Sequence, residues 1–140
     1  MSIRIFYDST KYRFPIWRKA KTVIEKVIRN ENMVFGDLSF IITTDDILKG
    51  INKEFLKHNY YTDVVAFEYN FENVVNGEVY ISIDTVKKNR HNYNVSLQNE
   101  MLRVMIHGVL HLTGFRDKSA KEKELMRRME DRWIAEIEED

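Results

Sequence analysis

The sequence predicts an α+β fold: one small mixed β-sheet of about four strands, packed with about five helices. Three observations carry that prediction. Four short runs are alternating or β-branched, as half-buried strands are. Four longer stretches carry apolar residues suited to a buried helix face, and a short basic segment makes a fifth helix. The two kinds of segment interleave as β-α-β-α-β-β-α-α-α without repeat or linker, so a single domain over residues 1–140 accommodates them.

Residues 2–7 alternate Ile3, Ile5 and Tyr7, a first strand. Pro15 opens a helix over 15–29, because proline suits the first turn and Ile16, Ala20, Val23, Ile24, Val27 and Ile28 form one stripe. Residues 38–43 are apolar and β-branched, a second strand. Asp45 or Asp46 is then expected to cap a helix through Ile47, Leu48, Ile51, Asn52 and Phe55. Strands are predicted over 64–69 and 78–83, with Asn76-Gly77 as the turn signal between them. A short basic helix over 85–93 carries Lys87, Lys88 and Arg90. Residues 97–112 form a strongly apolar helix, the spine of the domain, ending at Gly114. Ser119 caps a last helix with Leu125, Met126, Met129, Trp133, Ile134 and Ile137 on its inner face.

Composition narrows the chemistry. With 44% hydrophobic and 31% charged residues the chain has a globular balance rather than a disordered one. It contains no cysteine, which excludes disulfides and thiolate sites and leaves any metal to His, Asp or Glu. Lys+Arg 22 against Asp+Glu 22 gives no global attraction to polyanions, so nucleic acid must be met by a local patch. The first thirty residues are the most basic, with Lys11, Arg13, Arg18, Lys19, Lys21, Lys26 and Arg29. Neither a signal pattern nor a membrane-length apolar run is present, and the expected location is the cytoplasm.

The chemistry lies in the segment from Glu100 to Asp117. His107 and His111 are four apart, hence stacked on one face of a helix, where two imidazoles can share one ion. Gly114 ends the helix and lets the chain return, bringing Asp117 to the same point. The skeleton H-x-x-x-H-x-x-G-x-x-ligand places three donors on one side of a metal and leaves the other side open. His107, His111 and Asp117 are therefore the expected ligands of one divalent ion, Zn2+ by preference, with His58 or His91 as the alternative third ligand. Glu100 and Arg103 extend a polar stripe along the same helix, as partners of a histidine or as a packing pair. Position 108 is glycine, so the glutamate that serves H-E-x-x-H peptidases as general base is missing.

The stretch HGVLHLTGF resembles the signature of the YbeY family, small bacterial metal-dependent endoribonucleases of ribosomal RNA maturation. Asn52 in the preceding helix, the strand Thr62-Asp63-Val64-Val65-Ala66-Phe67 and the strand Gly77-Glu78-Val79-Tyr80-Ile81-Ser82 resemble further family motifs, in the same order. The likeness spans about residues 38–135. Two positions depart from the family pattern. Asp117 stands where the family usually has a third histidine. Leu56 stands where it has an arginine, leaving Lys57 or His58 to meet a phosphate as a point charge. The resemblance implies cleavage of phosphodiesters in single-stranded ribosomal RNA by metal-activated water. The ribosome is the expected partner, and neither DNA nor a membrane is expected.

Lys57, His58 and Asp63 are the tentative substrate-binding residues. Lys87, Lys88 and Arg90 can track an RNA backbone, and Tyr60, Tyr61 and Tyr93 can stack bases. No general base is assigned, although Asp63 and Glu78 are eligible. Two other functions fit the ligand skeleton: a metallopeptidase or other small hydrolase, and a ribosome-associated binding module whose metal is structural.

Overall fold

A computed structural model of the chain describes residues 1–56 and 62–138. The element order is β1 (Ile3–Tyr7), α1 (Trp17–Asn30), β2 (Val34–Thr43), α2 (Asp45–Leu56), β3 (Val64–Glu68), β4 (Val74–Ser82), α3 (Ile83–Asn92), α4 (Leu97–Leu112) and α5 (Ala120–Glu138). The sheet order is β1-β2-β4-β3. The first two pairings are parallel and β3 runs antiparallel to β4, so the sheet is mixed as the sequence predicts.

Side chains alternate across this sheet. Leu38, Phe40, Ile42, Val75, Val79 and Ile81 point to one face, where α1 contributes Ala20, Val23, Ile24, Val27 and Ile28 to a common core. Helix α4 lies on that face and is buried nearly all round, with Met101, Leu102, Val104, Met105, Ile106, Val109, Leu110 and Leu112 at 3% exposure or less. Helix α5 covers it through Met126, Trp133 and Ile134. Helix α2 crosses the opposite face, where Phe55 meets Phe67 edge to face with ring centroids 6.0 Å apart.

Three local expectations need correction. Asn76-Gly77 is not a turn. Both residues lie inside β4, which begins at Val74, and the chain reverses at residues 69–73 instead, where Glu72 takes a φ of 53°. Gly77 is required by proximity rather than by a turn, because a Cβ there would stand 2.6 Å from the Phe67 carbonyl oxygen. Strand β2 begins at Val34, four residues before the predicted start. The pairing slips between Phe35 and Leu38, and that irregularity hid the periodicity. The cap of α2 is Thr44, whose Oγ1 and carbonyl accept from Ile47 and Leu48, while Asp45 is already helical. The Asp45 carboxylate instead accepts from Ser82 and Thr85, joining α2 to the start of α3. Ser119 caps α5 as predicted: its Oγ accepts from the Glu122 N–H at 3.1 Å, and Glu122 accepts from the Ser119 N–H at 2.9 Å.

Helix α4 comes close to the sheet at Gly108, where a Cβ would lie 2.8 Å from Val79 Cγ1. Val79 is β-branched and fully buried, so it cannot yield cheaply. Gly108→Ala is therefore expected to lower stability in urea unfolding by roughly 1–3 kcal/mol despite alanine's better helix propensity. Gly50→Ala, in a helix with nothing within 4 Å of its Cβ, should raise it by about 0.5–1 kcal/mol.

Candidate metal centre

The end of α4 builds the site. The Gly114 N–H donates to the His111 carbonyl at 3.1 Å, and the Phe115 N–H reaches back to the Leu110 carbonyl at 3.0 Å. Gly114 makes this possible by taking a φ of 110°, a conformation that costs a residue without Cβ little. The reversed chain presents the Phe115 carbonyl to His111 Nδ1 at 3.0 Å and, two residues later, the Asp117 carboxylate to both imidazoles.

His107 and His111 meet at their Nε2 atoms, 3.0 Å apart, and Asp117 Oδ2 stands 3.3 Å from each. A tetrahedral ion with bonds of about 2.0–2.2 Å spaces its ligand atoms about 3.3 Å apart, so this triangle is of the right size. The tautomers agree. His107 Nδ1 lies 2.7 Å from Glu130 Oε2, and His111 Nδ1 lies against the Phe115 carbonyl. Each Nδ1–H is thereby given an acceptor, which leaves both Nε2 lone pairs turned toward the carboxylate oxygen. Two lone pairs and an anion converging at 3 Å repel one another unless a cation lies among them. His107, His111 and Asp117 can thus hold a metal ion.

The partner of His107 was not identified from the sequence. Glu130 on α5 is 7% exposed and also accepts from Arg103 Nη1 at 3.0 Å, while Arg103 Nη2 reaches Asp131 at 2.7 Å. Arg103 therefore acts on the site through Glu130. A signal for Glu130 does exist in the sequence. It falls within the inner stripe of Met126, Trp133 and Ile134, where an acid needs a partner.

Comparison with known proteins places the chain. The sequence model described as Endoribonuclease YbeY matches residues 7–138. The chain belongs to that family. Similar relatives include the Endoribonuclease YbeY of Christiangramia forsetii, 46% identical over 80% of this chain and 78% of its own length. That of Chloroherpeton thalassium is 43% identical over 84% and 83%. The solution structure of a Thermotoga maritima protein superposes with a TM-score of 0.67 at 27% identity, over 97% of this chain and 89% of that one.

Two open cavities flank the histidines of this YbeY-family site, and both are lined by Asp63, His107 and Asp117. One, of about 510 Å³, runs between α2 and β3 past Asn52, Leu56 and Gly108. The other, of about 580 Å³, opens between α3, α4 and α5 over Tyr93, Glu100 and Arg127. Lys57, His58, Tyr60 and Tyr61 lie outside the described residues. His91 is exposed on α3 and is not in the converging group. Glu78 belongs to the opposite face of the sheet, where it accepts from Tyr69 and Tyr80, so it is no base for this site. Arg90 turns its Nε to the Val95 carbonyl at 3.2 Å, whereas Lys87 and Lys88 are exposed. No helix among the described residues is long and apolar enough to cross a membrane.

Electrostatics set the protonation states. Burial opposes a charged His107, but the hydrogen bond to Glu130 and the negative charges of Glu130, Asp117 and Asp63 outweigh it and lift the imidazole above its ordinary value. Asp63 is also raised, chiefly by burial, against the attraction of His107. Burial, reinforced by the charge of Asp63 and opposed by Arg103, lifts Glu100 to about 7. A carboxyl raised on folding stabilises the protein fully below its unfolded value and loses that contribution as pH climbs through the folded one. The metal-free protein should therefore lose stability between about pH 4.5 and 7 on account of Glu100. Thermal unfolding of Glu100→Gln should show a flatter profile across that window, and an unchanged slope would refute the assignment.

Proposed function

We propose that the chain is a metal-dependent endoribonuclease that cuts single-stranded RNA in ribosomal RNA maturation, with His107, His111 and Asp117 holding one divalent ion, preferably Zn2+. The observation that carries this reading is the convergence of two Nε2 atoms and one carboxylate oxygen, each imidazole steered by a hydrogen bond at its other nitrogen. The relatives are described as endoribonucleases, which supports RNA as the substrate. Its maturation role makes the ribosome the expected partner and the cytoplasm the expected place of action.

Three protein donors leave part of the coordination sphere open to water and substrate. When bound, the ion supplies Lewis acidity, lowering the pKa of water and offsetting charge on the phosphoryl oxygens. The protein's own residues do the rest. Glu130 and the Phe115 carbonyl keep each Nε2 aimed inward. Asp63, at the junction of the two cavities, is placed to accept a hydrogen bond from substrate or water. The exposed Lys87 and Lys88 offer charge to the RNA backbone, and Tyr93, 60% exposed, offers a stacking face. Lys57 and His58 are proposed to meet a phosphate where the family arginine is replaced by Leu56.

A peptidase of the H-E-x-x-H type would need its base at 108, and Gly108 has no side chain to serve. A structural zinc would have four protein ligands, and among the described residues no fourth joins the three.

Purified protein should cleave a labelled single-stranded RNA, and His111→Ala, prepared identically, should lose cleavage together with its metal. Equal cleavage by both would assign the activity to a contaminant. Glu130→Gln keeps all three ligands but removes the charge, and its single amide oxygen cannot serve both His107 and Arg103, so its metal affinity should fall by about 10–100-fold in a chelator competition.

A further inference from the structure

Glu100 has no part in the metal centre, yet its position is unusual. It stands on α4 two turns before His107 and is 3% exposed, and its Oε1 is enclosed without a hydrogen-bond partner. Buried polar atoms are normally satisfied, so an unpaired carboxyl oxygen calls for a partner. Glu100 lines the 580 Å³ cavity that also reaches His107 and Asp117. Around the same cavity stand Asn89 and Tyr93 of α3 and Lys123 and Arg127 of α5. An aromatic ring, an amide, a carboxyl and two exposed cations form the set that a nucleotide requires: a stacking face, hydrogen bonds to a base edge, and charge for a phosphate.

We propose that this cavity is a base-reading subsite, in which Glu100 accepts hydrogen bonds from a guanine next to the cleaved phosphate. The inference rests on the nuclease reading above and names a specificity residue for it. Guanine is selected by chemistry. Its Watson–Crick edge presents two adjacent donors, N1–H and the 2-amino group, to the two oxygens of a carboxylate. Adenine and cytosine pair one amino donor with a ring-nitrogen acceptor, which would face a carboxylate oxygen and repel it. Uracil places its single N–H between two carbonyls. Tyr93 stacks on the base, and Lys123 and Arg127 meet the adjoining phosphate.

The experiment is digestion of a randomised single-stranded RNA pool by metal-loaded parent and Glu100→Gln at about pH 8, where the Glu100 carboxyl is ionised, followed by sequencing of the product ends. The parent should enrich guanosine roughly tenfold at one position beside the cut, and the variant should lose most of that enrichment. Equal enrichment in both, or none in the parent, overturns the proposal. Should the variant not fold, guanosine 5′-monophosphate titrated into the metal-loaded parent and followed by NMR decides the matter. Saturable shifts at Asn89, Tyr93 and Glu100, absent with uridine 5′-monophosphate and weakened in Tyr93→Ala, are expected, and equal responses to the two nucleotides overturn it. The two readings fail separately. Cutting without base preference removes the subsite and leaves the nuclease, whereas selective guanosine binding without RNA cleavage removes the nuclease and leaves the pocket.

Discussion

The site depends on how α4 is seated against the sheet. Eight of its apolar side chains are buried, and each fully buried one is worth roughly 1.5–3 kcal/mol. Turning the helix by one residue would bring several of them toward water, a loss that one ligand contact could not offset. Gly108 fixes the depth of the same packing by letting the backbone approach Val79. Rotation and depth being set, the one polar stripe of α4, with Glu100, Arg103, His107 and His111, can face only the gap toward α5 and the returning loop. The histidines are therefore preorganised by the core, and an ion bound to them need not order the helix.

Charge explains why that gap is suited to a cation. Asp63, Asp117 and Glu130 act on His107, Asp63 and Glu130 also act on Glu100, and Arg103 pairs with Glu130. The result is visible in the raised values of His107, Asp63 and Glu100, each of which favours the less negative form of the cluster. A divalent ion would answer the same imbalance from the His107 side, and Asp117 as a third ligand would offset part of its charge directly. A carboxylate is a harder donor than an imidazole, and it brings a negative charge that an imidazole does not.

How much of this could be read in advance follows from range along the chain. His107, His111, Gly114 and Asp117 lie within eleven residues and are governed by helix period and one left-handed turn, so their convergence was legible. Four strands and five helices, in order, were legible for the same reason. Glu130 was not, because its role depends on which turn of α5 crosses α4, a tertiary fact. Asn76-Gly77 misled for a related reason. The pair has the local chemistry of a turn, but Gly77 answers to the Phe67 carbonyl and to Leu112 across the sheet and helix. The slip between Phe35 and Leu38 concealed the first four residues of β2 in the same way.

The two histidines are held by different parts of the molecule. His107 takes its orientation from α5 through Glu130, and Glu130 is in turn fixed by Arg103. His111 takes its orientation from the Phe115 carbonyl, which lies on the short loop that also delivers Asp117. A disturbance of the Gly114 turn would therefore displace two of the three donors together, whereas a disturbance of α5 would release only one. That asymmetry makes the turn after α4 the more sensitive element of the centre. It also accounts physically for a glycine at a place where nothing crowds its Cβ position: the requirement there is the φ of 110°, and the space around it is free.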